Sequence, residues 1–119
     1  MHCKYINILK NDLLRGNDKK KSLNFFRYTS TSVLIWFTIL EYSFHNKELN
    51  LENLVNEIRA FNKASKPTIL KILDNGVSKN LIFKTKSERD KRLTLYSPTD
   101  LTIREFKEWS ENLFNLKII

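Results

Sequence analysis

Nine of the chain's 21 lysines and arginines fall between Lys63 and Arg92, against only Asp74, Glu88 and Asp90, so about a quarter of the sequence carries a formal +6. The rest contributes +2 of the total +8. Cations interleaved with the hydroxyls and amide of Ser65, Thr68 and Asn75 can hold a polyanion: ammonium and guanidinium groups neutralise phosphates, while hydroxyls and amides direct hydrogen bonds. A charge run is equally what a solvated face carries, and charge alone does not separate the two readings. The elements beneath it must decide.

Catalytic chemistry is poorly supplied. The lone Cys3 cannot form an internal disulfide, and His2 and His45 are too far apart in sequence to suggest a zinc framework. Tyr42 and His45 sit near one helix end, where an ordinary surface histidine is a better reading than a general base. No glycine-rich phosphate loop is present. Neither an enzyme nor a cofactor is expected.

At 119 residues with 41% hydrophobic content, the chain is long and apolar enough for one domain with its own core. Two glycines and two prolines leave little support for a turn-rich all-β protein, so helices should dominate. The longest apolar run, Val33 to Leu40, is far short of the ~20 residues a spanning helix needs. The N-terminus lacks the pattern of a secretory signal. A soluble cytoplasmic protein without membrane contact is expected.

Ile6, Leu9 and Leu13 share a face in a first helix over 4–15, followed by a polar break at 16–21. Ser22 to Phe44 is apolar nearly all round and should be central. The hydroxyl run Thr29-Ser30-Thr31-Ser32 admits a strand, but the length favours helix with a break near Ser30. Leu51, Leu54, Val55 and Ile58 recur at i, i+3, i+4 and i+7 behind Asn50, giving a helix over 51–59 with an N-cap. After a short connection, Ser65 can cap a new helix with Pro67 in its first turn. That helix buries Ile69, Ile72, Leu73 and Val77 and turns Thr68, Lys71, Asp74, Asn75 and Ser78 outward. Leu81 to Lys86 and Leu93 to Tyr96 are β-prone runs around the charged turn 87–92, hence a hairpin with a basic tip. Beyond Pro98, Thr99 can cap a last helix whose Thr102, Phe106, Trp109, Leu113 and Leu116 form a seam that wants another helix. Phe106 and Trp109, with Phe114 at the edge, read as packing residues rather than a ligand box.

With these elements in place the sequence resembles winged helix-turn-helix transcription regulators, in particular the multiple-antibiotic-resistance-regulator (MarR) family, from about Thr29 to Leu116. The resemblance is carried by Ser65-Lys66-Pro67-Thr68-Ile69-Leu70-Lys71-Ile72-Leu73-Asp74, similar to the recognition-helix pattern. It is carried also by Asp90-Lys91-Arg92 with Tyr96-Ser97-Pro98-Thr99, similar to the wing and its exit. It implies a mainly α fold with a small β-hairpin wing (α+β) and terminal helices for dimerisation. The expected division is an N-terminal helical arm at 1–28 and a winged core at 29–98. Within that core lie a helix-turn-helix at 51–79 and a wing at 81–96, and a C-terminal dimerisation helix follows at 99–119. Asn80 stands where the family usually has glycine, a substitution that asparagine's tolerance of left-handed backbone permits. Gly76 stands where the family buries a leucine, which should remove packing and weaken the helix by up to ~1 kcal/mol. Both terminal regions are short for the family.

The resemblance implies a homodimer on a double-stranded DNA pseudo-palindrome, with the recognition helix in the major groove and the wing in the minor groove. Lys71 and Asn75 are then the base readers, since lysine donates to guanine and asparagine pairs with adenine. Ser65, Lys66 and Thr68, with the free N–H groups of the first turn, suit phosphate. Arg89 and Arg92 suit a narrow minor groove, flanked by Lys84, Lys86 and Lys91. Asp90 would repel phosphate, so it either holds a wing cation such as Arg92 or simply forms the turn. Phe106, Trp109, Leu113 and Leu116 would dimerise, and the resemblance leaves room for a small-molecule effector. A winged-helix protein-interaction or assembly module, with no preference for DNA sequence, is the rival reading.

Overall fold

The computed structural model describes residues 6, 7, 10, 11 and 20–118, without the side chains of 115–118. The helix expected over 4–15 lies largely outside the described residues; residues 6, 7, 10 and 11 are helical. In chain order the elements are α1 (Lys21–Phe26), α2 (Ser30–Phe44), α3 (Leu51–Phe61), α4 (Lys66–Ser78), β1 (Ile82–Lys86), β2 (Thr94–Pro98) and α5 (Asp100–Ile118). The architecture is a winged helix-turn-helix, mainly helical with one antiparallel hairpin, as the sequence implies.

The hydroxyl run resolves as the start of α2: Thr29 adopts extended backbone and its Oγ1 accepts from the Ser32 N–H at 3.1 Å. Nothing so capped continues from α1, which accounts for the break. α2 is the central rod, with Ile35, Trp36, Ile39 and Leu40 buried. Trp36 stacks on Phe26 (5.9 Å between centroids, 6° between planes) and meets Phe106 edge to face (5.5 Å, 85°) and Trp109 (5.4 Å). The seam of α5 therefore meets, in its first half, α2 of the same chain. The buried Glu105 carboxylate accepts from both the N–H and the Oγ of Ser22, fastening the first turn of α1 to α5.

β1 and β2 pair from Ile82↔Pro98 to Lys86↔Thr94, so the hairpin runs through Pro98, two residues beyond the expected wing. Proline is tolerated at this terminal position. The sequence gives no sign of a third contributor: the Tyr96 N–H donates to the Leu49 carbonyl (2.9 Å), and Asn50 bridges Leu95. Leu49 and Tyr96 are both buried there.

The end of α4 joins everything that follows. Asn80 has φ 60°, its N–H donates to the Val77 carbonyl, and the Leu81 N–H donates to that of Gly76, the two bonds of a Schellman cap. Asn46, with φ 55°, closes α2 in the same way. Behind the cap, Thr99 Oγ1 donates to the Asn80 carbonyl at 2.9 Å and Thr102 Oγ1 to that of Leu81 at 2.7 Å. Thr102 thus serves the base of the wing.

Gly76 corrects an expectation. A Cβ there would lie 2.5 Å from Cδ1 and 2.9 Å from Cγ1 of the buried Ile82, and 3.4 Å from Phe25, so the space a leucine would fill is already occupied. Packing is not lost; it is supplied from β1. Gly76→Ala should therefore lower unfolding free energy by about 1 kcal/mol, because overpacking at ~1–3 kcal/mol outweighs a helix-propensity gain of ~1 kcal/mol. Adding Ile82→Val, which removes the nearest methyl, should recover part of the loss in urea denaturation. A Gly76→Ala chain more stable than the parent would contradict this packing.

Candidate nucleic-acid interface

Ser65 caps α4 through its Oγ, which accepts from the Thr68 N–H at 3.2 Å and lies 2.8 Å from Thr68 Oγ1. Pro67 has no N–H, and the Ile69 N–H is taken by the Ser65 carbonyl. The first turn is therefore not the open set of donors the sequence suggested: with the Thr68 and Ile69 N–H groups taken and none on Pro67, the Lys66 N–H is the first-turn donor without a partner among the described residues. Ser65, Lys66, Thr68, Lys71 and Asn75 are all exposed, while Ile69 and Leu73 on the opposite side are fully buried.

The wing rises beside this polar face. Lys84 and Tyr96 pair across the hairpin and face α4, with Lys84 Nζ 3.9 Å from Asp74 Oδ1. Both partners are about half exposed, so the contact contributes little stability. Its value is positional: the outer face of α4 and the lysine-bearing face of β1 look the same way. Lys86, next on that face, donates to Thr94 Oγ1 at 2.9 Å. Burial and the negative charge of Asp74 push the Tyr96 hydroxyl above its ordinary pKa, keeping it neutral.

At the tip, buried Ser87 accepts from the N–H groups of Arg89 and Asp90 at 3.2 and 3.4 Å. Asp90 then holds Arg92: Oδ1 accepts from the Arg92 backbone N–H (3.0 Å) and from Nε (3.1 Å), and Oδ2 from Nη2 (3.3 Å). Both roles weighed for Asp90 are met at once, since one carboxylate shapes the turn and orients the guanidinium. Arg89, Lys91 and Arg92 remain exposed.

Sequence reasoning missed the neighbour of α4. A hollow of about 620 Å³ separates α4 from the α1–α2 corner, lined by Lys71, Asn75 and Lys79 on one side and Tyr28, Thr29 and Thr31 on the other. Asn62, in the turn before α4, donates to Thr31 Oγ1 at 2.9 Å and Ser30 Oγ at 3.3 Å, bracing the start of α2 against the helix-turn-helix. The hydroxyl run was the available signal, and it carried information about this surface as well as about secondary structure. On α5, Phe106, Trp109 and Leu113 are half-buried, and the side chain of Leu116 lies outside the described residues.

Hydrogen bonding from Arg92, first its side chain and then its backbone, holds the Asp90 carboxyl below its ordinary pKa of 3.8. A depressed carboxyl means the pair supports the folded wing at and above the ordinary carboxylate range and is lost as pH falls through the lowered value. Carbon-detected NMR titration should give Asp90 a midpoint below 3.8 that rises toward it in Arg92→Ala. A midpoint unchanged by that substitution would detach the two residues.

No family model and no curated protein sequence matches the chain. Solved structures do. The S. aureus MepR–DNA complex aligns with TM-score 0.64 at 16% identity, covering 92% of this chain and 82% of that one. The heme sensor protein PefR in complex with heme and carbon monoxide gives 0.61 at 16%, covering 93% and 70%. The YusO protein from Bacillus subtilis gives 0.58 at 15%, covering 92% and 73%. At such identities the likeness is one of fold, and it covers more than nine-tenths of this chain. The chain has the MarR-like winged helix-turn-helix fold.

Proposed function

We propose that this chain is a sequence-specific double-stranded DNA-binding regulator of transcription that acts as a homodimer. The observation that carries the reading is the common orientation of the polar face of α4 and the cationic wing, joined at Lys84 and Asp74 and lying within the +6 window. α4 enters the major groove with Lys71 and Asn75 at base edges, Ser65, Lys66 and Thr68 at phosphates, and Arg92, oriented by Asp90, in the adjacent minor groove. Arg89 enters the minor groove with Arg92, while Lys84, Lys86 and Lys91 flank the backbone. That a structure similar in fold is a DNA complex supports the reading. Dimerisation would use the half-buried Leu113 with the sides of Phe106 and Trp109 turned away from Trp36, and Leu116 joins them by sequence spacing alone. The hollow beside α4 falls in the ~300–1,000 Å³ range of small-molecule sites. A ligand in it would compete with DNA for Lys71 and Asn75, an arrangement suited to an effector.

Binding-site selection from random duplexes, followed by titration of the selected duplex at several salt concentrations, tests the proposal. Affinity should fall with salt at a log–log slope of ~0.9 per phosphate neutralised. Lys71→Ala should cost ~1–3 kcal/mol at the selected site and relax preference at one base pair. Arg92→Ala should weaken binding chiefly at A/T-rich flanks. A flat salt slope rejects DNA binding. Equal binding of selected and scrambled duplexes favours the protein-interaction module instead.

A further inference from the structure

Away from α4 and the wing, a small groove of about 140 Å³ runs between α2 and α3. Leu34, Phe37, Ile58 and Phe61 line it, and the carboxylates of Glu41 and Glu57 stand along it. Three features are unusual together. Phe37 and Phe61 are 44% and 81% exposed, although each would bury a large apolar area against a partner. The Glu57 carboxylate accepts from the Tyr42 hydroxyl, while its Oε2 is left with no hydrogen-bond donor among the described residues. And the segment from Glu41 to Glu57 holds four glutamates against Lys47 alone, a formal −3 within a chain of +8.

Aromatic walls with two carboxylates suit an organic cation that has an apolar stem. The size selects its source: small-molecule sites occupy ~300–1,000 Å³, and this groove is less than half the lower bound. It matches a single side chain. Of the two basic side chains, arginine fits better, because its planar guanidinium stacks on aromatic rings and carries five donors for two carboxylates.

We propose that the α2–α3 groove is a docking site for an arginine presented by a partner polypeptide, its stem against Phe37 and Phe61 and its guanidinium on Glu41 and Glu57. The groove shares no residue with α4 or the wing, so the partner binds whether or not those elements are engaged.

The test uses the full isotope-labelled chain and two synthetic peptides, acetyl-Ala-Leu-Arg-Leu-Ala-amide and its twin with neutral citrulline in place of arginine. NMR titration should give saturable shifts centred on Phe37, Glu41, Glu57 and Phe61 with the arginine peptide, and at least five-fold weaker binding by the twin. Glu41→Gln, at an exposed position that leaves the fold unchanged, should reduce the arginine peptide's advantage while leaving affinity for duplex DNA as it was. Equal binding of the twins, no saturable shift at the groove, or an arginine preference untouched by Glu41→Gln would overturn the assignment.

Discussion

The carbonyls of Asn80 and Leu81 are the point at which α4, the wing and α5 are made into one body. α4 can stop where it does because Asn80 accepts a left-handed backbone, closing the helix with two capping bonds. The next two carbonyls then turn toward the wing exit, where Thr99 supplies its Oγ1 to one, and its N–H and the Thr102 hydroxyl reach the other. The buried Leu81 carbonyl would cost ~1–3 kcal/mol if left without a donor, so its two donors are a condition of the fold, and the part-buried bond to Asn80 adds to them. They also fix the angle at which the hairpin leaves the helix. A wing tethered only at its first strand would swing; this one is held at both.

From that constraint follows the division of labour on the surface. Most side chains proposed to touch DNA are exposed and contribute little to stability, while those that aim them are buried, Ser87 under the tip and Tyr96 under the sheet; Ser65 does both, capping α4 from an exposed position. Asp90 is the exception, a half-exposed carboxylate in a cationic loop that orients Arg92 before any phosphate arrives. Pre-ordering a long arginine removes part of the rotamer entropy that binding would otherwise cost. The aromatic cluster around Trp36 does the equivalent for the scaffold, locking α2 against α1 and α5 so that the helix-turn-helix has a rigid back.

Local signals were readable in the sequence. Periodicity and caps located α3 and α4, because Asn50 and Ser65 act on N–H groups three residues away. Asn80 was legible as a left-handed position, and Asp90 as a holder of Arg92, for the same reason of short range. What stayed hidden was set by residues distant in the chain. Glu105 finds Ser22 across 83 positions, Ile82 fills the space over Gly76, and Leu49 joins a hairpin more than forty residues later. Thr102 looked like part of a helix-packing seam because spacing cannot say which carbonyl a buried hydroxyl will meet. The hollow beside α4 needs two helices in place before it exists at all.

Dimethyl sulfate footprinting of the chain on its selected duplex tests the central claim most directly, since the reagent methylates guanine N7 in the major groove and adenine N3 in the minor groove and so reads both. One protomer should protect a major-groove segment together with the neighbouring minor groove, about half a helical turn away, both appearing at the same protein concentration. Protection of a single groove, or two protections that titrate apart, would contradict a helix and wing held as one surface.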